Sequence, residues 1–328
     1  MAIKQNSILA AGILILFLNG CSSYVTRIVA RSITGIGDPI ELPPSTISKP
    51  VLENADLAVS WVGHATVLIQ IKDKIFITDP LFTETVGMIM KRLVQPALDP
   101  TLLRKVDFTL VSHIHFDHFS FGSLDMLPKN GTLVLPLGAL PYTPEFGFKE
   151  IKEMKPWDVT EEDGVRITAV PVQHFSGRYG FDSPWMRDHG YTGYVIEYAG
   201  YTVFFGGDTG YHPELFKEIG RRFKVDVAIL PIAPSSLSGL GSGVHVGPVG
   251  ALQIFKDVGA RYLVPMHHQT LNYGSDAPST TAVEALRKSS QEMGLASSVV
   301  DLQIGEQRVL FDRQTQPATG NGAKNPLN

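Results

Sequence analysis

The sequence predicts an α+β domain in which two packed sheets carry helices on their outer sides, and three observations lead there. Short strand-like runs follow one another from Leu57 onward. Further along, similar runs alternate with helical patterns. Strands first in succession and then interleaved with helices imply two sheets with helices outside. Third, histidines and aspartates recur at the ends of the runs, where layered α/β folds place their chemistry.

The first three strands are expected at 57–61, 66–71 and 74–78, where apolar and β-branched residues dominate. A buried strand is expected at 108–112, followed by others at 132–135, 166–170, 194–198, 202–205, 227–230, 262–264 and 308–311. Helical patterns cover 213–223, 246–258 and 281–293. Pro213 suits a first helical turn, and Gly259 and Gly294 suit C-terminal stops. The 328 residues are 44% hydrophobic and 18% charged, which describes a globular chain with a substantial core. The formal charge is −4 and no Lys/Arg run is present, so a surface that tracks nucleic-acid phosphates is not expected.

The ends read differently. Residues 1–20 carry Lys4, then an apolar stretch at 8–18 that is short for a membrane span. Leu18-Asn19-Gly20-Cys21-Ser22 closes it, and this resembles a bacterial lipoprotein signal in which Cys21 becomes the lipidated N-terminus. The expectation is an exported protein anchored to the cell envelope, in the outer membrane where the cell has one, because Ser22 and not Asp follows Cys21. Cys21 is the only cysteine, so no disulfide within the chain and no thiolate ligand are expected. Residues 21–52 read as a tether, 53–313 as the folded domain and 314–328 as a disordered tail.

The densest chemistry is His113-Ile114-His115-Phe116-Asp117-His118, directly after the strand expected at 108–112. Neutral imidazoles suit a borderline-soft cation, and aspartate adds a hard oxygen. Other candidates follow at strand ends. His174 follows the run up to Val172, Asp208 follows Gly206-Gly207, and His267 follows the run that starts at Tyr262, with His268 beside it.

Taken together, His113-x-His115-x-Asp117-His118, His174, Asp208 and His267 resemble the metallo-β-lactamase superfamily. The phrases Trp61-Val62-Gly63-His64-Ala65-Thr66, Thr78-Asp79-Pro80, Gly206-Gly207-Asp208-Thr209-Gly210-Tyr211 and Val244-His245-Val246 are similar to N-acylphosphatidylethanolamine-hydrolysing phospholipase D and its bacterial relatives. The resemblance implies a four-layer αβ/βα sandwich with two Zn²⁺ at its edge. By matching position, it implies His113, His115 and His174 on one metal, Asp117, His118 and His267 on the other, and Asp208 between them. It places Asp79 behind the metal loop and His245 in the pocket facing substrate, while His64 reads as a pocket or core residue and not a ligand. Asp117 and Asp208 are then also expected to handle protons. The implied reaction is attack on a phosphodiester by water activated between the metals.

Two segments depart from the phospholipase D pattern. After His174 this chain has His189-Gly190-Tyr191-Thr192-Gly193-Tyr194 where that family is Trp-rich, and 233–243 is a small, uncharged Ser/Gly loop. A lactonase or another ester or amide hydrolase is therefore the second expectation, and a non-catalytic envelope protein the third. Phe175, Tyr179, Phe181 and Trp185 would supply an apolar entrance. A homodimer is compatible with the resemblance. Imidazole at His115, where flavodiiron relatives carry glutamate, favours zinc over redox iron.

Overall fold

The computed structural model describes residues 30–312 except 36, 88–89, 180–181, 187–188, 235–238, 242 and 274–276. The Cys21 leader, the 314–328 tail, Phe181 and part of the Ser/Gly loop lie outside the described residues.

Two sheets form the body. The first has seven strands in the order β15-β1-β2-β3-β6-β7-β8. They are β1 (Ala55–Gly63), β2 (Thr66–Ile71), β3 (Lys74–Thr78), β6 (Phe108–Leu110), β7 (Thr132–Pro136), β8 (Glu150–Met154) and β15 (Gln307–Asp312). The second has six in the order β14-β13-β12-β11-β10-β9. These are β9 (Val159–Glu162), β10 (Val165–Val170), β11 (Gly193–Tyr198), β12 (Tyr201–Phe205), β13 (Val227–Pro231) and β14 (Tyr262–Met266). A two-stranded ribbon, β4 (Thr85–Val86) with β5 (Met90–Lys91), stands apart. The helices are α1 (Phe121–Met126), α2 (Pro213–Arg222), α3 (Pro248–Val258) and α4 (Thr281–Glu292).

Strand periodicity explains the layers. Along β12, Val203 and Phe205 face the core between the sheets, while Phe204 faces the helices. Tyr194 and Ile196 of β11 face inward and Val195 outward; Val227 and Ile229 of β13 face inward, Ala228 and Leu230 outward. The outward set packs against Phe216 and Ile219 of α2, Leu252 and Phe255 of α3, and Leu286 of α4. Strands buried on both faces read as continuous apolar runs, which is how they appear in the sequence. The expected two-sheet architecture is borne out.

The domain begins earlier than expected. Ile47, placed in the tether by sequence, is 1% exposed in the inter-sheet core, and its N–H donates to Ala97 O at 2.7 Å. A single aliphatic residue among prolines and serines has no periodicity to reveal its burial.

Strands β3, β6, β7 and β8 run parallel to one another, as do β12, β13 and β14. A parallel block gathers the C-terminal ends of its strands along one edge, and the loops there hold Asp79, the 113–118 cluster, Asp208, His245 and His267, while His174 follows β10, which is antiparallel to both its neighbours. Isolated bridges tie the edge together, His113 to Tyr191 and Gln173 to Gly210.

Candidate metal centre

The β6 loop delivers four donors in six residues. It is held from beneath by Arg178, a buried guanidinium that donates to Ile114 O at 3.1 Å and Phe119 O at 2.9 Å. The same guanidinium lies 4.0 Å from the ring centre of Phe121 and 4.5 Å from that of Phe116, a cation–π cradle. Asp208 arrives across Gly207, whose φ is +56°. A Cβ there would stand 2.4 Å from Ser112 Cβ, so only glycine lets β12 end against the start of the β6 loop.

Four of the five candidate imidazoles are oriented through Nδ1. His118 Nδ1 lies 2.6 Å from Asp79 Oδ2, His174 Nδ1 2.8 Å from Val244 O, and His267 Nδ1 2.9 Å from Ala233 O. Carbonyls and carboxylates only accept, so each of these Nδ1 atoms carries a proton and Nε2 is the atom turned toward the site. His113 Nδ1 sits 3.0 Å from Ser112 Oγ, which is free to accept because its own proton goes to Asp79 Oδ2 at 2.6 Å. Asp79 also accepts from Ser112 N at 2.6 Å. It is fully buried, and burial raises its carboxyl above the usual range despite these contacts.

The bare nitrogens point at one another. His113 Nε2 and His174 Nε2 are buried without a hydrogen-bond partner. His118 Nε2 and His267 Nε2 face each other at 3.1 Å. Asp117 Oδ2 is 3.6 Å from His118 Nε2 and 3.7 Å from His267 Nε2. Asp208 reaches both, with Oδ2 3.5 Å from His118 Nε2 and Oδ1 3.2 Å from His267 Nε2. His113, His115 and His174 form one group with donor atoms within 4.8 Å of each other, and Asp117, His118 and His267 belong to another. Tetrahedral bonds of 2.0–2.2 Å separate donors by about 3.3–3.6 Å, and the distances around His118 and His267 run from 3.1 to 3.7 Å.

The electrostatics agree. Burial strips charge from His113 and His174, which fall well below the usual imidazole range, and brings His115 down to about 4. Burial also acts against charge on His118, but Asp208, Asp117 and Asp79 outweigh it and hold this imidazole well above its ordinary value. Asp117 and Asp208 fall well below the carboxylate range, burial being overcome by the facing imidazoles, His118 first for Asp117 and His267 first for Asp208. Two ionised carboxylates among lone pairs make a cavity that stabilises added positive charge.

All seven sequence candidates therefore meet at one edge. His268 does not join them. Its ring lies 4.3 Å from that of Trp61, burial leaves it neutral with a pKa of about 3, and it belongs to the core. His245 borders the site, with Nδ1 3.5 Å from Asp208 Oδ2 and its ring 5.0 Å from that of His174. Two residues were missed. Tyr273 places its hydroxyl 2.9 Å from Asp117 Oδ2 and 3.3 Å from His267 Nε2. His64, read as pocket or core, groups with Asp117, His118 and His267 within 4.8 Å. Nothing around Tyr273 in the sequence signals this, whereas the Gly63-His64-Ala65 turn did mark His64 as unusual.

A sandwich with this edge site defines a class, and comparison with known proteins gives the same class. The family model for the beta-lactamase superfamily domain matches residues 75–268, and the chain belongs to the metallo-β-lactamase superfamily. Among relatives, an uncharacterized protein of Mycobacterium tuberculosis is 28% identical over 244 residues, 69% of this chain and 63% of that one. The N-acyl-phosphatidylethanolamine-hydrolyzing phospholipase D 1 of Caenorhabditis elegans is 28% identical over 240 residues, 67% of this chain and 65% of that one. The chain thus spans less than two thirds of the length of these relatives. Among solved structures, the isothiocyanate hydrolase from Delia radicum gut bacteria superposes with a TM-score of 0.62 at 20% identity. That alignment covers 78% of this chain and 99% of the hydrolase, and it supports the shared fold.

Proposed function

We propose that this chain is a metal-dependent hydrolase that holds two zinc ions and cleaves a phosphodiester of the N-acylphosphatidylethanolamine type. The observation that carries the metal reading is the 3.1 Å approach of His118 Nε2 to His267 Nε2. Both Nδ1 atoms are committed to acceptors, so both Nε2 atoms turn to one space; a proton on His118 can fill that gap, and a bound cation would take its place among the surrounding donors. His113, His115 and His174 would hold one ion, and Asp117, His118 and His267 the other, with Asp208 between them. All-nitrogen-and-oxygen donors including five imidazoles suit zinc. Bound zinc supplies Lewis acidity and brings water's pKa toward neutrality.

The chain's own groups do the rest. Asp117 and Asp208, ionised and buried, are placed to take the proton of an attacking water. His245, at the rim beside Asp208, would orient the substrate or protonate its leaving oxygen. The phospholipid reading rests on likeness to the nematode enzyme and on apolar surface at the mouth. Phe175 packs its ring 4.8 Å from that of His115 yet is 43% exposed, and Tyr179 and Trp185 on the same segment are also exposed. A cavity of about 230 Å³ opens beside His267 and Tyr273, with Ala233, Pro234, Leu271 and Pro278 in its wall. Lipidation of Cys21 would hold this mouth against an envelope membrane that contains the substrate.

A second reading is hydrolysis of a smaller ester, lactone or amide, favoured by the uncharged 233–243 loop. One experiment separates the two. The domain from residue 24 onward would be reconstituted with zinc, its metal counted, and its turnover compared on N-acylphosphatidylethanolamine and a lactone panel. Two zinc per chain with acylethanolamine release, abolished in Asp208→Asn, supports the first reading. Lactone cleavage alone supports the second. Failure to bind zinc refutes both.

A further inference from the structure

We propose that His64 is an additional protein ligand at the Asp117–His118–His267 end of the site, giving that metal a third imidazole. The inference rests on the two-metal reading above. His64 sits in the turn between β1 and β2 with φ 56°, in the left-handed region that costs a side-chain-bearing residue about 1–2 kcal/mol. Three hydrogen bonds hold it there. Its N–H donates to Thr270 Oγ1 at 2.7 Å, and its carbonyl accepts from Trp61 Nε1 at 2.9 Å and from His267 N at 3.0 Å. The turn is thereby fastened to the segment that delivers His267, which itself has φ 63°. Strain maintained from two directions at a cluster of donors is a functional signature.

The ring has no other occupation. It is 1% exposed, and neither nitrogen has a hydrogen-bond partner of acceptable alignment. Its centre lies 4.1 Å from that of His267 and 5.1 Å from that of His118. Its Nε2 is 3.2 Å from Asp117 Oδ2, close to the spacing of neighbouring donors around one ion. A plain hydrogen bond from His64 to Asp117 is the competing role, and lone-pair arithmetic disfavours it. Asp117 Oδ2 has two lone pairs. One accepts the Tyr273 hydroxyl at 2.9 Å, and the other faces the space between His118 and His267. Once a cation occupies that space both are engaged, and the His64 Nε2, which otherwise contacts Asp117, is free to present its own lone pair to the ion.

The test uses the two-cobalt form of the reconstituted protein and the variants His64→Gln and His64→Ala. Glutamine keeps an N–H donor for Asp117 but is a poor substitute for imidazole. Paramagnetic proton NMR would count the exchangeable, strongly shifted imidazole N–H resonances, and chelator competition would give the affinity of each metal. The expected result is one resonance fewer in both variants. The metal at the Asp117–His118–His267 end should lose more than about 100-fold in affinity, beyond the 10–100-fold that an outer hydrogen-bond partner commands. Wild-type resonances and affinity in either variant, or rescue by glutamine of what alanine loses, would overturn the proposal while leaving the two-metal reading intact. A wild-type protein that takes up no cobalt would overturn both.

Discussion

Replacing Asp79 by asparagine tests whether the proposed second metal depends on a proton position and not merely on shape. The carboxylate makes three contacts of 2.6 Å, with Ser112 N, Ser112 Oγ and His118 Nδ1. An amide of the same size has two orientations. With its nitrogen toward Ser112 N–H, two donors meet in a buried site at a cost of about 1–3 kcal/mol. With its oxygen there, the NH₂ faces His118 Nδ1, which must then accept. The imidazole proton moves to Nε2, the atom 3.1 Å from His267 Nε2. Metal must now displace a proton or do without this ligand. Loss of such orienting partners weakens metal by about 10–100-fold, or about 1.4–2.8 kcal/mol. Zinc affinity of Asp79→Asn would be measured against a chromophoric chelator, with thermal unfolding of both metal-free proteins as the control for folding. A variant that folds and holds its second zinc within about twofold of wild type would refute the tautomer argument.

Other outcomes are open to measurement. Gly207→Ala should destabilise the domain by about 2–5 kcal/mol, from a left-handed alanine plus overpacking against Ser112, read as a lower urea midpoint. Tyr273→Phe should fold normally, keep both metals and bind the one at Asp117 about tenfold more weakly, since it removes a hydrogen bond to a charged oxygen. His268→Phe should flatten the acid dependence of stability. The folded pKa of His268 is about 3, below the ordinary imidazole value, so between about pH 6.5 and 3 the unfolded chain takes up a proton the folded one refuses. Stability falls as pH drops through that window by about 1.4 kcal/mol per pH unit for this group, and urea titrations of the variant should lack that increment.

Much of this fold was legible because its strands are apolar on both faces. β2 and β3 begin and end where their residue types change, and β10 to β14 agree within two residues. β8 and β9 were not, since Glu150-Ile151-Lys152-Glu153-Met154 and Val159-Thr160-Glu161-Glu162 are polar edge strands with no alternation strong enough to read. The donors themselves were legible from residue type and position at strand ends. Their orientation was not. Val244 O and Ala233 O set two of the tautomers, and a main-chain carbonyl carries no mark in a sequence. Nor could residue order show that His64 is fixed by Thr270, 206 positions away.

The carbonyls of Ala233 and Val244 flank the small, uncharged stretch of sequence that runs between them. Those two anchors steady His267 and His174 through main-chain carbonyls, which any residue type supplies. Replacements between those two anchor points can alter what enters the pocket while leaving the ligands aligned. A lineage carrying this arrangement can drift from one ester to another by editing a single loop, its hydrolytic centre travelling unchanged.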